Sequence, residues 1–198
     1  MALSKDKLAE FLYASINDAQ STIRAVDFKV SVLMLVLTIP LTQIPSIFLT
    51  IYTLTTSLCD AWLVVAVLLV GLFLATWLFS LTASLKSIIA IDNPVSHIKG
   101  GPKEGSFYSA ALFRTGFIDS VWNRCLQSKR SVQEHHDAMP SDDDALVMEL
   151  TFEQMKLVYI RSVKLERQKY AFISAAIWFV SGAAIWFWKM VVTFDVLP

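Results

Sequence analysis

Charge is scarce in this sequence. Only 17% of its 198 residues are Asp, Glu, Lys or Arg, against about 25% in soluble domains. Three stretches have none at all: residues 30–59, 61–85 and 170–188. A helix needs about 20 apolar residues to cross a hydrocarbon core of ~30 Å, so each stretch can span a bilayer. Enzyme signatures are missing too. There is no nucleophile elbow, phosphate-binding loop, dinucleotide loop or metalloprotease helix motif. The chain is therefore expected not to be an enzyme and to have no catalytic residues. Only two cysteines occur, Cys59 and Cys125. They fall on opposite sides of the membrane in the topology argued below, which excludes a disulfide within one chain.

What is present is apolar and helical in pattern. Hydrophobic residues make up 55% of the chain, and its mean hydropathy is +0.54. The expected fold class is all-α, a three-span membrane protein. Its parts are an amphipathic helix (1–29), a first span (30–52), a short outer loop (53–60) and a second span (61–85). A cytoplasmic helical region (86–169), a third span (170–188) and an outer tail (189–198) follow. Lys and Arg set the orientation: four precede the first span, none lies between the first two, twelve lie between the second and third, and one follows. Positive charge stays inside, so the N-terminus and the middle region are cytoplasmic and the tail is outside. The first 29 residues hold four acids and no apolar core, unlike a cleavable signal peptide.

The last quarter ties these parts together. Met148, Phe152, Met155 and Tyr159 recur at helical spacing and mark one apolar face, with Glu153 and Lys164 opposite. No proline lies between Leu146 and Trp188, and the only glycine there is Gly182. One continuous helix is expected from the polar part into the third span.

Elsewhere the residues leave alternatives open. Leu8, Leu12, Ala19, Ile23 and Val26 form an amphipathic helix running into the first span. Asp27 and Lys29 sit at its entrance as a solvated interfacial couple or as a coupling element, together with Lys169 and Tyr170 at the third span. Pro40 and Pro45 kink the first span. Thr38, Thr42, Ser46 and Thr50 either satisfy carbonyls freed by the kink or form a polar stripe along a water path. Tyr52 and Trp62 are interfacial anchors, and Gly71 with Ala75 would let another helix approach closely.

The second helix should stop before Asn93-Pro94. Residues 99–106 read as a loop, 107–129 as an amphipathic helix with Arg114 in its apolar stripe, and 131–144 as a second loop. Ser141-x-x-Asp144 reads as a helix N-cap. His135-His136-Asp137 lacks the further ligands a metal site requires, so no metal or cofactor is expected.

Ala25-Val26-Asp27-Phe28-Lys29-Val30-Ser31-Val32-Leu33, the exit Asp92-Asn93-Pro94, the pair Phe107-Tyr108 and the helix Gln154…Leu157…Ile160…Lys169-Tyr170 resemble the Pycsar membrane-effector family. The resemblance covers roughly residues 20 to 190. It implies an antiphage effector of the bacterial inner membrane, activated by cyclic UMP or cyclic CMP from a partner pyrimidine nucleotide cyclase. Such an effector impairs the membrane and causes abortive infection. A homo-oligomer in the lipid bilayer is implied, with no nucleic-acid partner. The other readings are a two-span-hairpin effector of the SLATT type, a structural or scaffolding membrane protein, and, more distantly, a membrane hydrolase using the His-His-Asp cluster.

A cyclic mononucleotide presents one phosphate charge and one aromatic base. Its site needs a cationic fork beside an apolar face. Phe107, Tyr108, Arg114, Phe117 and Trp122 combine these on one segment. Arg161, Lys164 and Arg167 form a competing basic run, better suited to lipid phosphate.

Overall fold

A helix persists until proline or glycine breaks it or a cap ends it, and this sequence provides few such stops. In the computed structural model, which describes residues 4–57, 60–89, 94–99, 128 and 131–195, helix α1 runs over Lys5–Thr42 and α2 over Ile44–Ser57. Helix α3 follows over Asp60–Ile88, then a single 3-10 turn at Pro94–His97. The short α4 covers Val132–Asp137, and α5 spans Asp143–Asp195 as one helix of 53 residues. At 1.5 Å per residue α5 is about 80 Å long. The fold is all-α, and no strand occurs among the described residues. Among the described residues three helices are long and apolar enough to cross a membrane: Lys5–Thr42, Trp62–Ile88 and Asp143–Val191.

The prolines of the first span act where the sequence places them. Pro40 lies inside α1, whose last residue is Thr42; Gln43 interrupts the helix and its N–H reaches the Pro40 carbonyl (3.0 Å). Pro45 then sits in the first turn of α2, where a missing N–H costs nothing. The 131–144 stretch is not wholly a loop. Ser131 and Glu134 form a reciprocal capping box that starts α4. The cap of α5 is Asp142 rather than Ser141, because its Oδ1 accepts the N–H of Ala145 at 2.7 Å.

The chain divides into two compact units, one of Met1–Thr22 with Ile91–Arg161 and one of Ile23–Ala90 with Ser162–Pro198. In the first, the opening turns of α1 and α5 run parallel. Lys5 pairs with Asp144 (2.7 Å), Gln154 donates to Ser15 (3.0 Å), and Arg161 reaches Asp18 (3.2 Å). Between these polar links Leu12, Ile16 and Leu150 are buried against Ala9, Leu146, Val147 and Leu157.

This corrects part of the face expected for α5: Phe152 is buried and Tyr159 half-buried, but the two methionines lie outside. Met148 and Met155 are 69% and 46% exposed, while Glu153 and Lys156 are buried beside Phe152. The inward seam is Leu146, Leu150, Glu153 and Leu157, with Leu150 and Glu153 buried and the two flanking leucines partly so, a regular helical stripe whose third member is charged. Hydrophobic spacing passes over such a stripe in favour of the methionines.

In the second unit α3 runs antiparallel to α5. Trp62 meets Trp188 edge-on (5.6 Å), Phe73 lies against Trp178 (5.9 Å), and Ser80 donates to the Ala171 carbonyl (2.9 Å). The indole of Trp77 donates to the Leu37 carbonyl of α1 at 2.8 Å. Beside Val26, Val30 and Leu37 of α1, small side chains fill the interior: Ala66, Ser80, Ser84, Ser87, Ala171 and Ser174 are buried. Large ones such as Phe28, Leu35, Leu68 and Phe179 point outward. That inversion is the packing of membrane helices, which approach closely through small residues and offer apolar bulk to lipid.

Candidate functional site

The charged groups of the second unit lie at the two ends of its apolar length. At one end Lys164 of α5 pairs with Asp27 of α1. Asp27 is half-exposed (40%), whereas the Lys164 side chain is only 7% exposed. The partner of Asp27 is therefore Lys164, 137 residues away, and not its neighbour Lys29, which is exposed. One turn further along α5, Arg167 donates to the Lys86 carbonyl in the last turn of α3. The Lys169 ammonium lies 5.8 Å from the Tyr170 ring centre, within cation–π range. Each cation of the basic run is thus engaged by the protein: Lys164 and Arg167 here, and Arg161 with Asp18 in the first unit.

Towards the other end lies an open-sided cavity of about 210 Å³. Ser46, Ile47, Thr50 and Ile51 of α2 form one wall. Val70 and Phe73 of α3 and Gly182, Ile185, Trp186 and Lys189 of α5 complete it. At this wall the Phe73 ring packs directly onto Gly182, which has no side chain to keep it off. A Cβ there would stand 2.9 Å from the Phe73 ring. The close approach of helices expected at Gly71 occurs instead at Gly182, since nothing lies within 4 Å of a Cβ built on Gly71. Lys189 donates to the Thr50 hydroxyl at 3.2 Å, and Thr50 in turn donates to the Ser46 carbonyl at 2.9 Å.

No family model, curated protein or solved structure matches this chain.

Its functional residues are therefore read from geometry alone. The polar stripe of the first span divides in two. Thr38 and Thr42 donate to the carbonyls of Leu35 and Ile39, three residues back, and not to that of Val36, which Pro40 deprives of its N–H partner. Ser46 and Thr50 line the cavity. Phe107, Tyr108, Arg114, Phe117 and Trp122 lie outside the described residues. Among the described residues no three His, Cys, Asp or Glu side chains come together as a metal site. His136 Nδ1 lies 3.6 Å from Asp137, and the buried His135 Nδ1 has no described partner.

Three features escaped local spacing. Glu153 and Lys156 pair in the interior of the first unit, where the ammonium also lies 4.9 Å from the Phe152 ring centre. His97 stacks on Tyr159 (5.0 Å, 19°). Lys189, read only as the single cation after the third span, joins Thr50 at the cavity. A lysine that closes a 19-residue uncharged run was the available signal for the last.

Outside the apolar length, the Lys5 ammonium is held above its ordinary value of 10.5, first by its hydrogen bond to Asp144 and further by the charges of Asp144, Asp143 and Asp142. It is exposed, and the pair is a surface contact.

Proposed function

We propose that this chain is a membrane effector that senses a cyclic pyrimidine mononucleotide on its charged, cytoplasmic part and impairs the bilayer through its spans. In this reading the N-terminus and the region between the second and third spans face the cytoplasm of a bacterial cell, and copies of the chain assemble in the inner membrane. A pyrimidine nucleotide cyclase supplies cyclic UMP or cyclic CMP. The ligand's phosphate is taken by Arg114 and its base by Phe107, Tyr108, Phe117 and Trp122. The resemblance of residues 25–33 and 154–170 to the Pycsar membrane effectors supplies the identity of the ligand.

One observation carries the mechanism. Helix α5 is unbroken from Asp143 to Asp195, starting among acids and ending past the uncharged run. A ligand shifts an equilibrium only by binding one arrangement better than the other. An unbroken helix is the kind of element on which such a preference can act.

Dye-loaded liposomes containing the purified protein test the reading. They should leak on addition of cyclic UMP or cyclic CMP and stay closed with cyclic AMP. Losing a charged hydrogen bond costs roughly 1.5–3 kcal/mol, so Arg114→Ala should raise the nucleotide concentration needed by about 10- to 150-fold. Leakage that ignores every cyclic pyrimidine nucleotide overturns the proposal.

A further inference from the structure

Gln43 carries the only side-chain amide in the uncharged runs 30–59, 61–85 and 170–188. It stands about 20 Å along the helix axis from Val30, where its run begins, inside a hydrocarbon core of ~30 Å. Its backbone is satisfied, donating to the Pro40 carbonyl and accepting from the Ile47 N–H. Its side chain is exposed and has no hydrogen-bond partner among the described residues. Acyl chains offer an amide nothing to bond, and polar groups within spans face protein or water rather than lipid. The surface around Gln43 supplies acceptors as well. Pro40 and Pro45 lack the N–H groups that would bond the Val36 and Leu41 carbonyls, and both of those residues are exposed. Thr42 and Ser46 border Gln43, exposed and at the four-residue spacing of small side chains that lets two helices approach closely. Exposed Leu35 and Ile39 continue the same face.

We propose that this face is where a second copy of the chain packs, the two α1–α2 breaks meeting across a two-fold axis along the membrane normal. Copies inserted in the same direction hold Gln43 at the same depth, so each meets its equal. An amide has two donors and an acceptor, and it can therefore be matched by its own copy, as a lysine or a carboxylate cannot. Each Gln43 donates to the amide or a kink carbonyl of the other copy and accepts in return, an isologous contact. Thr42 and Ser46 let the backbones come within reach, and Leu35 and Ile39 pack beside them. The proposal names the surface on which copies assemble; it uses no residue assigned to nucleotide sensing and needs no ligand.

Energy transfer between two populations of the full chain tests the contact. Chains carrying a donor or an acceptor fluorescent protein at the N-terminus are reconstituted together in phosphatidylcholine vesicles, without nucleotide, over a range of protein-to-lipid ratios. Transfer in wild type should fall as lipid dilutes the protein, which gives a dimerisation constant. Gln43→Leu should weaken that constant by about 5- to 30-fold, the equivalent of one interhelical hydrogen bond in model spans. Gln43→Asn should retain most of it. Thr42→Phe, which holds the helices apart, should weaken it too, and Thr82→Val, which removes an exposed hydroxyl of α3, should change nothing. Because the Gln43 side chain bonds nothing within the chain, thermal unfolding of Gln43→Leu in dilute detergent should match wild type, which separates lost association from lost fold. Wild type that shows no transfer at any ratio overturns the proposal. So does undiminished association in Gln43→Leu; altered leakage in that variant would then mark Gln43 as the lining of a water path.

Discussion

The Glu153–Lys156 pair allows the sharpest test of how the first unit is built. Their side chains are 4% and 3% exposed, and they bond to each other across one turn of α5. Removing Lys156 leaves the Glu153 carboxylate buried without the ammonium beside it, which costs about 3–5 kcal/mol. Lys156→Met should destabilise the protein by that amount. Replacing both with apolar residues removes the desolvation cost together with the attraction, and buried pairs so treated change by about zero or gain ~1–4 kcal/mol. The double variant Glu153→Leu/Lys156→Met should therefore unfold close to wild type or above it. Adding Glu153→Leu to Lys156→Met should thus recover at least ~3 kcal/mol. Chemical unfolding in mild detergent, followed by far-UV circular dichroism, compares wild type, Lys156→Met and the double variant. A cost of Lys156→Met under ~1 kcal/mol, the range of solvated pairs, would mean that water reaches these side chains and would refute the argument.

Three further outcomes are expected. Gly182→Ala should cost ~1–3 kcal/mol through overpacking against Phe73, whereas Gly71→Ala, with open space around it, should be neutral or stabilising by up to ~1 kcal/mol; thermal unfolding of the two variants compares them directly. Val163→Pro should remove a hydrogen bond of α5, cost ~3 kcal/mol or more and abolish ligand-triggered leakage, and hydrogen exchange that stays protected across residues 159–167 would contradict it. Because the Lys5 pKa is raised in the folded chain, its bond to Asp144 contributes fully at neutral pH and is lost only as pH climbs past 10.5 through the raised value. Nuclear magnetic resonance titration of Lys5 should show that value falling back in Asp144→Asn.

Much of the architecture is legible in the sequence because it follows from single-residue properties. Uncharged runs give the three apolar helices, Pro40 and Pro45 place the break at Gln43, and the absence of breakers gives the length of α5. What depends on pairing is not legible. The helical stripe of α5 passes through Glu153, whose charge Lys156 offsets, so hydrophobicity ranked the exposed Met148 and Met155 above it. Asp27 finds Lys164 rather than Lys29, a choice made by the packing of α1 on α5 and not by spacing. Gly71 and Gly182 look alike as letters, and only the position of Phe73 tells them apart. The α4 start is legible in the letters, since Ser131-x-x-Glu134 has the spacing of a capping box.

The bond between Trp77 and the Leu37 carbonyl bears on how the protein is made. Pro40 loosens the turn that contains this carbonyl, and the indole N–H that fills it comes from α3, 40 residues later. In hydrocarbon an unpaired donor of this kind costs roughly 2–7 kcal/mol, so Trp77 is better placed in the bilayer with α1 already beside it. Ribosomes add about 5–20 residues per second, which separates Leu37 from Trp77 by ~2–8 s of synthesis. Over that interval the first span is a helix with a weakened turn and no neighbour. Entry in succession, with the first span in place before Trp77 arrives, is the order of events that leaves no lone donor in lipid.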